Sequence, residues 1–166
     1  MDSILWDEYR YLSSNHNNDP IVKIHPRIIV GAGHQLTVEN MNKYNIEYVV
    51  NCSFDEFSPE WFRINFPYNY ICIKAYDDEE SNITNWYNLF EYYMNTFMNE
   101  GKGIVFVHCH LGMNRSAFLA LIYVCLKFDY NMESTIKTML ITRPCVFINK
   151  NYRKQVVEYI EKHRTK

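Results

Sequence analysis

The stretch from Ile104 to Leu126, IVFVHCHLGMNRSAFLALIYVCL, constrains this chain more than any other. Ile104 to Val107 is a continuous apolar run, the pattern of a central parallel strand covered on both faces. Ala117 to Leu126 is apolar throughout and reads as a buried helix, about half the roughly 20 residues that a membrane span needs. With the seven residues Cys109 to Arg115 between them, the two form one strand-loop-helix unit, which places the chain in the α/β class.

The same join is an anion cradle. Backbone N–H groups of the loop and of the first helical turn have no intrahelical partners, and the helix dipole adds positive potential where they converge. Gly112 sits mid-loop, where a tight curve needs a permissive backbone. Cys109 stands at the mouth, in the kind of environment that favours a thiolate nucleophile. Arg115 supplies a planar fork for two phosphate oxygens, and the hydroxyl of Ser116 can hydrogen-bond the sulfur and help it leave.

Elsewhere, IVKI and RIIV around His25-Pro26 read as an opening hairpin, closed by Gly31-Ala32-Gly33. A short polar helix is expected from Thr37 to Tyr44, and strands from Glu47 to Cys52 and from Tyr70 to Ala75. Ser53 to Pro67, with Pro59 and Pro67, reads as irregular with one helical turn. Trp86, Leu89, Phe90, Tyr93, Met94, Phe97 and Met98 recur at helical spacing and signify core packing. Two more helices are expected over 133–142 and 150–163, separated by Arg143-Pro144. The alternation implies one domain built on a central, mainly parallel, twisted sheet with helices on both faces.

At 166 residues, 48% hydrophobic and 22% charged, the chain is globular rather than a disordered tail. Its formal net charge of −2 offers no global field for nucleic acid or an anionic membrane, so any anion site must be local. Five cysteines without a C-x-x-C pair suit neither a disulfide framework nor a four-cysteine zinc site, which points to reduced thiols. The opening MDSILWDEYR is acidic where a signal peptide needs a basic region, and it lacks the Gly that myristoylation requires after Met. The expectation is an intracellular, cytoplasmic protein.

His108-Cys109-His110-Leu111-Gly112-Met113-Asn114-Arg115-Ser116 resembles the H-C-x-x-G-x-x-R-[S/T] signature of cysteine-dependent protein phosphatases. In size and order the chain is similar to the compact dual specificity phosphatases, the small poxvirus type included. IHPRIIVG (24–31) looks like their opening strands, IEYVVNCS (46–53) like their second core strand, and IKAYDDEESNIT (73–84) like their general-acid loop. RPCVFINKNYRKQ (143–155) is similar to their closing pattern, in which a Phe or Tyr and a Gln follow an Asn. The resemblance covers roughly residues 20–163, which leaves 1–20 as an N-terminal extension before a catalytic domain over 21–166.

That resemblance implies a single-domain cysteine-phosphatase fold, a phosphoprotein substrate, and neither cofactor nor metal. Asp77, 32 positions before Cys109, matches the family spacing for the general acid, with Asp78 as its neighbouring competitor. Residues 110–115 would bind the phosphoryl group, and His108 would orient the loop from behind. His110 could stabilise bound phosphate or have no chemical role. Met113 and Asn114 stand where phosphoinositide phosphatases place Lys, which argues against a lipid substrate. The chain has no room for the added loop that deepens the pocket of classical tyrosine phosphatases, so a shallow pocket open to phosphoserine, phosphothreonine and phosphotyrosine is expected.

Two other readings stand beside this one: an RNA 5′-triphosphatase of the same superfamily, whose loop also often carries Asn before Arg, and an inactive phosphoprotein-binding module. Among the remaining cysteines, Cys52 and Cys72 are candidates for a protective disulfide with Cys109. Ile4, Leu5, Trp6, Tyr9 and Leu12 form a small apolar face at helical spacing, suited to docking on the chain's own domain or on a second copy as a homodimer.

Overall fold

The computed structural model describes residues 4–8 and 18–164. Its five-stranded sheet has the order β1-β2-β5-β3-β4. Strand β1 (Val22–His25) pairs antiparallel with β2 (Ile28–Ala32), and β3 (Ile46–Asn51), β4 (Tyr70–Cys72) and β5 (Ile104–Cys109) are all parallel to β2. The hairpin and the mainly parallel sheet agree with the sequence reading. β5 runs between β2 and β3, so its C-terminal end, where Cys109 sits, lies at the centre of the sheet.

Alternation along β5 sorts its side chains between two cores. Val105, Val107 and Cys109 join the larger one, while Ile104 and Phe106 join the smaller. On the larger side lie α3 (Tyr87–Glu100), α4 (Arg115–Lys127), α5 (Met132–Thr142) and α6 (Lys150–Arg164), and on the smaller side α1 (Val38–Tyr44) and α2 (Glu60–Asn65). Helix α4 is buried from Arg115 through Cys125 because the sheet, α3, α5 and α6 surround it, which is why its sequence lacks a polar face. No helix among the described residues is long and apolar enough to cross a membrane.

The structure departs from the expected elements in several places. Ser53 to Pro67 holds the six-residue α2 and a 3-10 turn over Asp55–Phe57. The strand expected to reach Ala75 stops at Cys72, after which Lys74 adopts φ 63° and the N–H groups of Ile73, Lys74 and Ala75 donate to Asn51, Ser53 and Cys52 carbonyls. In α3 the buried face is Tyr87, Phe90, Met94 and Phe97, whereas Leu89 is exposed.

Residues 6–8 form a turn, and the rest of the helically spaced face, Tyr9 and Leu12, lies outside the described residues. Ile4 is buried and Trp6 packs edge-on against Phe147 and beside Phe118, so this part of the apolar face docks on its own domain. Leu5 points outward.

Candidate active site

The loop from Cys109 to Arg115 is held open from outside. Arg143, fully buried, donates from Nε to the Gly112 carbonyl and from a terminal nitrogen to the Leu111 carbonyl, both at 3.0 Å. Its other terminal nitrogen donates to the carbonyls of Asp19 and Pro20. The N–H of Phe147 donates to the Met113 carbonyl at 2.7 Å. Three successive loop carbonyls are thus satisfied on the outer side, while the N–H groups of His110 through Asn114 donate to no acceptor among the described residues. Successive N–H groups left without a protein partner around one loop form a concavity suited to an anion.

Gly112 makes the curve possible. Its φ is 68°, and a Cβ there would lie 2.4 Å from the Gly31 carbonyl carbon. Loop and β2 therefore touch backbone to backbone.

Cys109 is 2% exposed, with Sγ 3.2 Å from Ser116 Oγ at the floor of the cradle. Behind it His108 is fully buried, and burial lowers its pKa to about 4, so the ring is neutral at neutral pH. Its Nδ1 lies 3.1 Å from the Cys109 carbonyl, which can only accept, and that fixes the tautomer with the proton on Nδ1. Nε2 then accepts from the buried Ser58 hydroxyl at 2.9 Å. His108 thus holds the carbonyl of Cys109 and ties it to the loop after β3.

Arg115 donates to the Ala75 carbonyl at 3.0 Å, while its buried Nε has no hydrogen-bond partner among the described residues. An oxyanion in the cradle would satisfy that donor. Ala75 leads into the acidic loop, where the two aspartates differ. Asp78 Oδ1 accepts from the N–H groups of Glu80 and Ser81, and its hydrogen bonds with Ser81 hold the carboxyl below the usual range. Asp77 accepts from side chains instead: Asn114 Nδ2 at 3.0 Å and Asn149 Nδ2 at 3.2 Å.

The expected substrate-binding residues divide. Gly112 and the loop backbone line the cradle, but the Asn114 side chain turns away: its Oδ1 accepts from the N–H groups of Ile148 and Asn149, both at 2.9 Å. His110 stacks on Phe57 with ring centroids 3.8 Å apart and, with the exposed Leu111, borders a cavity of about 370 Å³ that also reaches Gly33 and His34. A second cavity, about 570 Å³, opens beside Asp77, Asn114 and Asn149. Burial raises the Cys72 thiol to about 11 and the Cys52 thiol well above its ordinary range, so neither is a thiolate at neutral pH, and all five cysteines are free.

Sequence reasoning missed Arg143, Asp19 and Ser58. Arg143 read as a chain break before Pro144, and no spacing ties it to carbonyls 31 and 32 positions back. Asp19, 2% exposed, accepts from the Cys145 N–H and so anchors the same bracket.

A central parallel strand ending in a buried cysteine, an anion-binding loop and an arginine at the helix start define the cysteine phosphatases as a class. Residues 28–162 match the model of the dual specificity phosphatase catalytic domain, and the chain belongs to that family. A probable dual specificity protein phosphatase of Dictyostelium discoideum is 29% identical over 143 residues, covering 84% of this chain and 34% of that protein. Protein phosphatase Slingshot of Drosophila melanogaster is 24% identical over 144 residues, covering 85% of this chain and 13% of the relative. The chain thus spans about a third or less of the length of these relatives. Among solved structures, human DUSP28 superimposes with a TM-score of 0.74 at 18% identity, covering 92% of this chain and 99% of that one.

Proposed function

We propose that this chain is a dual specificity protein phosphatase that hydrolyses phosphotyrosine, phosphoserine and phosphothreonine through a cysteinyl-phosphate intermediate. One observation carries the reading: Cys109 Sγ sits against Ser116 Oγ at the floor of a loop whose N–H groups, like Arg115 Nε, find no partner among the described residues. In the first step the Cys109 thiolate attacks phosphorus, the S–P bond forms, and the P–O bond to the substrate breaks. Asp77 gives its proton to the leaving oxygen, while Arg115 and the loop N–H groups hold the charge on the phosphoryl oxygens. In the second step Asp77 takes a proton from water, the water oxygen bonds to phosphorus, and the S–P bond breaks. The Ser116 hydroxyl hydrogen-bonds the departing thiolate, and phosphate leaves.

The substrate is a phosphoprotein, and the two cavities border the loop at His110 and Leu111 on one side and at Asn114 on the other. Free thiols at all five cysteines suit a reducing, cytoplasmic setting. The test is hydrolysis in EDTA of an aryl phosphate, a phosphotyrosine peptide, a phosphothreonine peptide and 5′-triphosphate RNA. Release from both peptides, abolished by Cys109→Ser, is the expected result. Turnover of the RNA alone, or phosphopeptide binding without turnover, would overturn the proposal.

A further inference from the structure

The hydrogen bonds around Asn114 go beyond a phosphate-binding role. Its Oδ1 faces two backbone donors, the N–H groups of Ile148 and Asn149. Turning the amide over would set NH2 against both donors and bring oxygen against the Asp77 carboxylate, so the orientation is fixed by the network. Nδ2 is thereby aimed at Asp77 Oδ2, 3.0 Å away. Asn149 is fixed in the same way: its Oδ1 accepts from the Tyr152 N–H at the start of α6, and its Nδ2 reaches Asp77 Oδ1 and the Asp78 carbonyl. Each oxygen of an exposed carboxylate thus meets an amide that cannot rotate freely.

We infer that Asn114 is a positioning residue for the general acid, locking the Asp77 carboxylate to the loop that carries the nucleophile. Asn114 immediately precedes Arg115 and sits five residues after Cys109, so acid, nucleophile and arginine share one rigid frame. The acid is then held in place before substrate arrives, rather than brought in by loop closure. This rests on Asp77 acting as the acid, and the experiment separates the two claims.

General-acid help matters most when the leaving oxygen is basic, as in phosphotyrosine, and least for an activated aryl phosphate whose phenol is acidic. Asn114→Ala and Asn149→Ala are compared with wild type for kcat on a phosphotyrosine peptide and on a fluorinated aryl phosphate. The same substitutions are then repeated in Asp77→Asn. Thermal melting and vanadate inhibition report on folding and on the cradle. The expected result is a fall of about tenfold in the phosphotyrosine to aryl phosphate kcat ratio for Asn114→Ala, carried by kcat rather than KM, and no further fall of that ratio in the Asp77→Asn background. Asn149→Ala should lower the ratio in the same direction.

Equal losses on both substrates would overturn the inference, because they report a deformed cradle. So would the same ratio change with and without Asp77. If Asp77→Asn itself leaves the ratio unchanged, the acid assignment fails first, and the positioning role goes with it. If Asp77→Asn lowers the ratio but Asn114→Ala does not, the positioning role alone fails. A variant that does not fold is replaced by Asn114→Ser, which keeps an acceptor for the N–H groups of Ile148 and Asn149 but cannot reach Asp77 with an amide donor, and for which the same ratio decides.

Discussion

Replacing Gly112 by alanine tests how tightly the cradle is built. The φ of 68° costs an L-residue about 1–2 kcal/mol. The new Cβ would also sit 2.4 Å from the Gly31 carbonyl carbon, 2.5 Å from its oxygen and 2.6 Å from the Ala32 nitrogen, where ordinary contact begins at 3.4 Å. These are backbone atoms of a buried strand paired with β5, so loop or strand must move by about 1 Å, at a cost of roughly 1–3 kcal/mol as overpacking. Together the two effects predict a loss of about 2–5 kcal/mol in denaturant unfolding. A displacement near 1 Å at the oxyanion-binding N–H groups should cost about 100-fold in kcat/KM on an aryl phosphate and weaken vanadate inhibition in parallel. Gly101→Ala is the comparison for side-chain rather than backbone crowding: its backbone is extended, and the added Cβ meets the Glu47 carboxylate and the hydroxyl of the buried Tyr48. If Gly112→Ala unfolds at the wild-type denaturant midpoint and keeps kcat/KM within twofold, the backbone-to-backbone account of the cradle is wrong.

Asp77→Asn should lower phosphotyrosine kcat by about 100-fold, whereas Asp78→Asn, which disturbs the loop's own turn, should cost less than about tenfold; the reverse order would reassign the acid. The folded pKa of His108, lowered to about 4 by burial, makes stability depend on pH. Between about pH 6.5 and 4 the unfolded chain takes up a proton that the folded ring refuses, so stability is full above 6.5 and falls by up to about 3 kcal/mol as pH drops through that window. His108→Asn should flatten this part of the stability curve in urea titrations at successive pH values. Trp6→Ala removes an aromatic packed against Phe118 and Phe147 and a ring under Arg153, and should lower unfolding free energy by about 1–3 kcal/mol; an unchanged midpoint would mean that residues 4–8 do not brace the 143–149 bracket.

The parts of the fold that could be read from sequence are those set by local periodicity. β5 and α4 announce themselves because burial on every side leaves a continuous apolar run in each, Ile104 to Val107 and Ala117 to Leu126. The hairpin follows from two β-rich runs around a proline. β4 was overestimated because YICIKA has strand composition throughout, yet Lys74 leaves the strand conformation and the next N–H groups turn to 51–53 carbonyls. The nucleophile and the arginine could be read because their spacing lies within one loop. The partners of the Asn114 side chain were not legible because Asp77, Ile148 and Asn149 lie 34 to 37 positions away in sequence. Arg143 was invisible because its partners at Asp19 and Pro20 lie 124 and 123 positions away.

The segment from Arg143 to Asn149 is what unites the site. It holds the carbonyls of Leu111, Gly112 and Met113, donates to the Asn114 amide, and continues into α6. The first turns of α6 then pin the acidic loop: Asn151 donates to the Glu79 carbonyl, the Tyr152 hydroxyl to the Tyr76 carbonyl, and Gln155 bridges the Ile83 N–H and the Ser81 carbonyl. Cys109 and Asp77, the proposed nucleophile and acid, come from segments some thirty residues apart, on loops following different strands, yet both hang on this one bracket. Exposed hydrogen bonds are individually weak, on the order of 1 kcal/mol, but a segment tied at Tyr76, Asp77, Asp78, Glu79, Ser81 and Ile83 cannot leave by breaking any one of them. On the proposed mechanism, such bracing would hold a carboxylate open to solvent beside the phosphoryl group while it serves first as acid and then as base.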